Sequence, residues 1–213
     1  GAQVNKLLQS GDFETAAGLL EKELAHPGKS HERADAALLL AQCYLEMRLP
    51  QKVAKALELC PQELNQDPRY VYCKAESLVA KGDSLAAEKL LRSLEGDAAD
   101  LQVTFRLGVL LYEKGDYSGA EELFKGPAGG STPDYYCCIY RARALLSLDR
   151  PEEAKRVLGS IKDVGGAPEI KYLRGRCAYA LKEYGPAATH FRAALQEDAG
   201  YLEAAFLLSG SLR

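Results

Sequence analysis

Six small or β-branched residues, Ala16, Val53, Ala87, Ala120, Ala154 and Ala187, stand 37, 34, 33, 34 and 33 positions apart. Each is followed four places later by a large apolar side chain: Leu20, Leu57, Leu91, Phe124, Leu158 and Phe191. Twelve places before the last five of these anchors stand Ala41, Ala75, Gly108, Ala142 and Gly175, small in every case. A spacing of four puts each anchor and its large follower on one face of a helix. Two antiparallel helices approach closely only where one of them lacks bulk, so the small residue is expected at the crossing, with the large one filling space toward the next unit.

The punctuation repeats with the same period. Gly115-Asp116-Tyr117 precedes Ala120, Gly11-Asp12-Phe13 precedes Ala16, and Gly82-Asp83 precedes Ala87. Softer copies are Asp149-Arg150-Pro151, Lys182-Glu183-Tyr184 and, most degenerate, Arg48-Leu49-Pro50. Each break divides one apolar rhythm into two helices. Asp67-Pro68, Pro133-Asp134 and Pro168-Glu169 then open the next pair, since Pro is tolerated at a helix start and disfavours helix in the residue before it.

A repeat of about 34 residues made of two helices resembles the tetratricopeptide repeat, whose pattern runs Leu-Gly, Tyr, Ala, Phe and Pro. Leu107-Gly108, Leu111, Ala120 and Phe124 carry that pattern in one unit, and Leu40-Ala41, Tyr44, Val53 and Leu57 in another. The resemblance implies an all-α, right-handed α-solenoid, a superhelix of antiparallel helix pairs. One array would run from residue 1 to residue 213, with repeats over 1–31, 34–67, 68–100, 101–132, 134–167 and 168–199 and a terminal helix over 200–213. There are departures. The chain has no Trp, extra loop is expected at Pro27-Gly28-Lys29-Ser30-His31, and Gly126-Pro127 should cut the fourth unit's second helix short ahead of a loose loop, a candidate hinge. Leu207 and Leu208 close to the end favour continuation of the natural protein, and Gly-Ala in place of Met at the start looks like a tag remnant on an excised fragment.

Composition narrows the function. A net charge of -3 on 213 residues does not announce a nucleic-acid surface. No apolar run reaches the roughly 18 to 20 residues of a membrane span. Six cysteines, Cys43, Cys60, Cys73, Cys137, Cys138 and Cys177, form no Cys-x-x-Cys pair and sit in apolar helical patterns, as buried thiols of a reducing compartment do. A cytoplasmic or nuclear location is therefore expected; a disulfide framework is the weaker alternative.

Nothing in the sequence points to catalysis. His26, His31 and His190 have no helical i, i+4 partner and no Cys/His set of zinc-ligand spacing around them, so no metal is expected. There is no phosphate-binding Gly-x-x-x-x-Gly-Lys loop, no Gly-x-Ser-x-Gly elbow, and no cofactor is implied. Glu121-Glu122 and Glu152-Glu153 fall early in second helices, where negative charge suits the helix dipole, and read as solvated faces.

The family resemblance implies instead a protein-interaction scaffold. Its first helices line a concave groove, with the second, fifth, ninth and twelfth places of each unit turned inward. Those places give Leu38, Gln42 and Leu45, then Tyr72 and Glu76, Phe105 and Tyr112, Tyr136, Ile139, Arg143 and Leu146, and Tyr172, Arg176 and Tyr179. The partner-binding candidates are Tyr72, Phe105, Tyr112, Tyr136, Ile139, Arg143, Tyr172, Arg176 and Tyr179. Tyr and Arg dominate binding hot spots, and Arg143 and Arg176, 33 apart, offer forked donors for a carboxylate or phosphorylated side chain.

The expected partner is a peptide or helix of another protein. Self-association through the terminal helix is a second mode. Asn5 begins the clamp with which some relatives hold chaperone tails, but Gln42, Tyr72 and Glu76 do not continue it. Ala41-Gln-Cys-Tyr44 and Tyr172-Leu-Arg-Gly175 look comparable to units of anaphase-promoting complex and intraflagellar transport subunits, which nominates a large assembly. The rival readings are a targeting or regulatory domain of a larger enzyme, and a periplasmic or organelle-lumen assembly factor.

Overall fold

The computed structural model describes residues 2–26, 30–94, 101–126, 135–161 and 167–211, apart from the side chains of Ser30 and His31. The described residues form thirteen α-helices and one 3-10 turn, with no strand among them. The chain divides into two compact units, residues 1–107 and 108–213. The first holds α1 (Ala2–Ser10), α2 (Phe13–Ala25), α3 (Ser30–Glu46), α4 (Pro50–Leu57), the 3-10 turn (Gln62–Gln66), α5 (Pro68–Ala80), α6 (Ser84–Arg92) and the start of α7 (Leu101–Lys114). The second holds the rest of α7 and α8 (Tyr117–Phe124), α9 (Tyr135–Ser147), α10 (Pro151–Gly159), α11 (Pro168–Ala180), α12 (Tyr184–Glu197) and α13 (Leu202–Ser211).

One turn geometry recurs at six places. In Lys114-Gly115-Asp116, the Gly115 amide donates to the Tyr112 carbonyl at 3.0 Å and the Asp116 amide to the Leu111 carbonyl at 2.9 Å. This pair of bonds satisfies carbonyls that the end of α7 would leave without partners. Gly115 takes φ +90°, a left-handed conformation that glycine adopts without a Cβ penalty. The Asp116 carboxylate then accepts from the Gly119 amide at 3.0 Å and caps α8. Asp12 and Asp83 cap α2 and α6 in the same way. The softer copies keep the backbone and lose the side-chain chemistry: Arg48, Asp149 and Lys182 hold φ between +55° and +61°. Leu49, Arg150 and Glu183 make no side-chain cap bond. Pro50 and Pro151 at the first helical place preset φ for α4 and α10 instead.

The small residues sit where the helices cross, as expected, but the space they leave is taken differently. A Cβ on Gly108 would stand 2.6 Å from Cε1 of Phe124, and one on Gly175 would stand 2.5 Å from Cε1 of Phe191. The large residue thus lies on the small residue of its own repeat, sixteen places earlier, rather than only reaching toward the next unit. This explains a pairing in the sequence: Gly108 and Gly175 go with Phe124 and Phe191, whereas Ala41, Ala75 and Ala142 go with Leu57, Leu91 and Leu158. A benzyl ring needs the room of the missing methyl; an isobutyl group does not. All ten of these residues are buried.

Within each unit helices pack on their sequence neighbours, α1 on α2, α2 on α3, α3 on α4, α4 on α5 and α5 on α6, then α8 on α9 and so on to α12 on α13. First helices of successive repeats also touch, α3 with α5, α9 with α11 and α11 with α13. This serial packing is that of a solenoid, in which each repeat contacts its neighbours and no single core gathers every helix. Arg174 of α11 ties two pairs together by donating to the Leu158 and Ile161 carbonyls at the end of α10, at 3.0 and 3.1 Å.

One boundary differs from the expected ones. The α3 helix begins at Ser30, so residues 30 and 31 belong to it rather than to the loop, because the stretch from Ser30 to Asp35 has no Gly or Pro and carries Glu32 in the first turn, where negative charge suits a helix start. Residues 27–29 lie outside the described residues. The fourth unit's second helix is short, eight residues in α8, as Gly126-Pro127 foretold, while the proposed hinge at 127–132 lies outside the described residues.

Gly175→Ala should destabilise the chain by about 1–3 kcal/mol, because the buried Phe191 ring has no room to yield. Gly175→Ala/Phe191→Leu recreates the alanine-leucine pairing of the other repeats. Urea unfolding of the four-member cycle should show a favourable coupling of about 1 kcal/mol. Strict additivity would refute the pairing.

Candidate functional site

Of the candidate residues in 108–213, α9 carries Tyr136 and Arg143, and α11 carries Tyr172, Arg176 and Tyr179. Tyr136 is 61% exposed. Arg143 is half-buried: its guanidinium carbon lies 5.2 Å from the Tyr140 ring centroid, and Nη2 stands 2.5 Å from Oε1 of Glu169. The forked donors expected to grip a partner's carboxylate at Arg143 already face one inside the chain. Arg176 lies 5.9 Å from the Tyr172 ring centroid and meets no carboxylate at ion-pair distance among the described residues. A guanidinium over an aromatic face is held in place while its N–H edge stays available.

The aromatic residues do more packing than the sequence pattern implies. Tyr172 is half-buried between Phe191, at 6.1 Å between centroids, and Tyr201, at 5.0 Å. Tyr179 meets Tyr184 edge-on at 5.5 Å. Tyr112 is edge-on to both Tyr117, at 5.3 Å, and Tyr140, at 6.0 Å. Ile139 is a correction: at 2% exposure it belongs to a core cluster with Leu145, Leu158, Ile170 and Leu173, because the fifth place of a first helix is covered by the stacked neighbouring helix. It is removed from the binding face.

In residues 1–107, Tyr72 is half-buried on α5 beside a cleft of about 440 Å3 that Glu46 and Glu76 also line. Burial, and then the charge of Glu76, raises the Tyr72 phenol above its ordinary value. Glu76 is itself ion-paired with Arg106. Phe105 is half-buried on α7. Leu38, another fifth-place residue, is fully buried.

Three participants were missed. Glu169 occupies the second place of its repeat, so the same inward rule that selected Tyr136 points to it. Tyr140, the ring beneath Arg143 and against Phe124 at 5.6 Å, lies at none of the four inward places and had no signal. Glu121 is the larger surprise. Expected as a solvated carboxylate, it is 2% exposed, accepts from Nε of Arg141 at 2.9 Å and has Lys125 Nζ at 3.4 Å and Arg150 Nη1 at 3.8 Å. It directly follows the anchor Ala120, a place that is buried alanine at Ala17 and Ala188. Glu122 stays outside and pairs with Lys125 at 2.5 Å.

All six cysteines are free thiols, four of them buried. Burial pushes the Cys43 and Cys177 thiols up to about 11 and Cys73 to about 12, so these are protonated packing groups rather than nucleophiles. No helix among the described residues is long and apolar enough to cross a membrane. On α13, Leu202 and Phe206 are 77% and 74% exposed.

Serial antiparallel helix pairs, with a small residue at the crossings of the last five repeats, define the class as a helix-pair repeat scaffold. The tetratricopeptide repeat pattern matches residues 7–76, 72–131 and 141–201. The chain belongs to the tetratricopeptide repeat family. It is 27% identical over 191 residues to intraflagellar transport protein 70A of Danio rerio, an alignment that takes in 87% of this chain and 28% of that protein. The chain therefore spans little more than a quarter of the length of that relative. Among solved structures, it is similar to a chain of the Cut9–Hcn1 hetero-tetramer of the APC/C, with a TM-score of 0.75 at 17% identity over 97% of this chain and 41% of that one. It also resembles the C-terminal part of a TPR repeat-containing protein of Cytophaga hutchinsonii, with a TM-score of 0.70 at 15% identity over 93% and 79%. At these identities the structural likenesses speak for the fold alone.

Glu121→Ala should cost about 1–3 kcal/mol, since it leaves the half-buried Arg141 without its carboxylate. Glu122→Ala, one residue away, should stay within about 0.5 kcal/mol of wild type. Equal urea midpoints for the two variants would return Glu121 to the solvated face.

Proposed function

We propose that this chain is a non-enzymatic protein-interaction scaffold whose first-helix face in residues 108–213 holds a peptide or helical segment of a partner. The observation that carries this reading is Arg176, held over Tyr172 with no carboxylate partner among the described residues, on a helix that touches α9, which bears the exposed Tyr136. Tyr136 supplies contact area at low entropic cost, and Arg176 a charged anchor for a carboxylate on the bound segment. Arg143 contributes stacking surface, its charge being held by Glu169. The likeness to intraflagellar transport protein 70A supports membership of an intraflagellar transport particle, ahead of the anaphase-promoting complex, for which the support is the fold alone.

Tyr136→Ala/Arg176→Glu removes both groups while sparing Tyr172, whose ring packs inside the chain. In pull-downs from ciliated cells, the variant should lose at least tenfold of an intraflagellar transport component that wild type retains. Undiminished recovery by a variant with an unchanged circular dichroism spectrum would refute the groove reading.

A second mode is self-association through α13, favoured by the exposed Leu202 and Phe206. Sedimentation velocity at about 100 μM should show a dimer for wild type that Phe206→Asp abolishes; a monomeric wild type would dismiss it.

A further inference from the structure

The second-helix side of residues 1–107 carries a cleft that the first-helix face does not involve. It opens between α2 and α4, with a volume of about 410 Å3. Leu24, Leu40 and Ala56 are buried at its base, and Leu59, 53% exposed, forms an apolar wall. A volume of this order lies within the range of small-ligand and side-chain pockets.

The polar part of the cleft traces to one residue. Where the first helices of later repeats carry Leu78, Leu111, Leu145 and Ala178, α3 carries Tyr44. The buried ring must place its hydroxyl, and it does so by donating to the Glu21 carboxylate of α2. Burial, and then that hydrogen bond, pushes the phenol up to about 12, so Tyr44 remains a donor across the physiological range. Lys52 and Lys55 lie one turn apart on α4, both exposed. Lys52 Nζ is 5.0 Å from the Tyr44 ring centroid, and neither lysine has a carboxylate at ion-pair distance among the described residues. The cleft thus joins an apolar base to a cationic rim, and the Glu21 carboxylate that lines it already accepts a hydrogen bond from within.

We propose that this cleft is a second, separate binding site for a short acidic peptide segment. One bulky apolar side chain of the segment, Phe or Leu, enters between Leu24 and Leu59, and carboxylates on either side of it lie against Lys52 and Lys55. A basic segment would meet repulsion at the rim, and a segment without the apolar side chain would leave the base uncovered. The site does not depend on the first-helix face, which lies on other helices.

The test uses the whole chain and a fluorescein-labelled eight-residue peptide of alternating aspartate and glutamate with a single central phenylalanine, titrated by anisotropy at low salt. Saturable binding is expected. It should weaken at least tenfold in Lys52→Glu/Lys55→Glu, at least threefold in Lys52→Gln/Lys55→Gln, and at least fivefold in Leu59→Asp. Raising the salt to about 0.5 M should weaken it as well, since exposed charges are screened over a few ångströms there. Arg176→Glu should leave it unchanged. All of the substituted side chains are at least partly exposed, and an unchanged circular dichroism spectrum verifies each fold. The proposal falls if no saturable binding occurs, if both lysine variants bind as wild type does, if glycine in place of the phenylalanine has no effect, or if Arg176→Glu is the variant that loses binding. That last result would assign the peptide to the first-helix face instead.

Discussion

Close approach of two helices around a residue without bulk is the constraint on which the rest of this structure depends. Gly108 under Phe124 and Gly175 under Phe191 leave no volume for even a methyl group. Because protein interiors are packed at crystal-like density, the size of one partner fixes the size of the other. The alanine-leucine crossings solve the same problem with the volume divided differently. Once the crossing is set, the turn between the two helices has to reverse the chain within a few residues, and one left-handed residue followed by a cap residue with ψ between 60° and 72° does so six times. Crossing and turn together determine a repeat, and each repeat has to bury its remaining apolar side on the next.

That last requirement governs which side chains are left for function. First helices stack on one another, so the fifth place of each, chosen as groove-facing by the repeat pattern, is drawn into the stack: Leu38 and Ile139 are buried and Tyr172 is half-buried among rings. Position within the repeat gives direction, whereas exposure depends on how much of the side chain the neighbouring helix covers. Arg143 and Arg176 show the difference within one unit. They occupy the same ninth place, but Glu169 approaches Arg143 from α11, while Arg176 lies over an aromatic ring and meets no carboxylate at ion-pair distance among the described residues.

The elements were legible because their signals are steric and local. Gly115-Asp116 foretells a left-handed turn and a capped helix from residue types alone, and the period of 33 to 37 fixes the order of helices without any tertiary information. The weaker turns at Arg48, Asp149 and Lys182 were legible only by their register, since nothing in those residue types asks for a positive φ. The candidate face was legible less completely. Its Tyr and Arg content could be read from the sequence, but which rings are spent on packing could not, because that depends on pairs such as Tyr172 and Tyr201 that lie 29 residues apart and share no pattern. Glu121 failed for a related reason. Charge at a helix start suggests solvent, and its burial is made tolerable by Lys125 together with Arg141 and Arg150, the last two brought in by the next helix pair.

The repeat therefore separates what must be kept from what is free to change. Small residues at the crossings are kept in the last five repeats and the turn backbone in all six, whereas polar groups enter at places where a single substitution creates a need for a partner. Tyr44 replaces a leucine or alanine and thereby requires Glu21; Glu121 replaces an alanine and thereby requires Arg141. Each exchange introduces a buried polar group, and a buried polar group without a partner costs more than a hydrogen bond returns, so the two residues have to change together. Features that single out this chain among helix-pair repeats are accordingly expected in coupled pairs across neighbouring helices. At Tyr44 the coupled pair also leaves Lys52 and Lys55 facing solvent beside an apolar base. A solution to a packing problem has there produced a surface with the composition of a binding site.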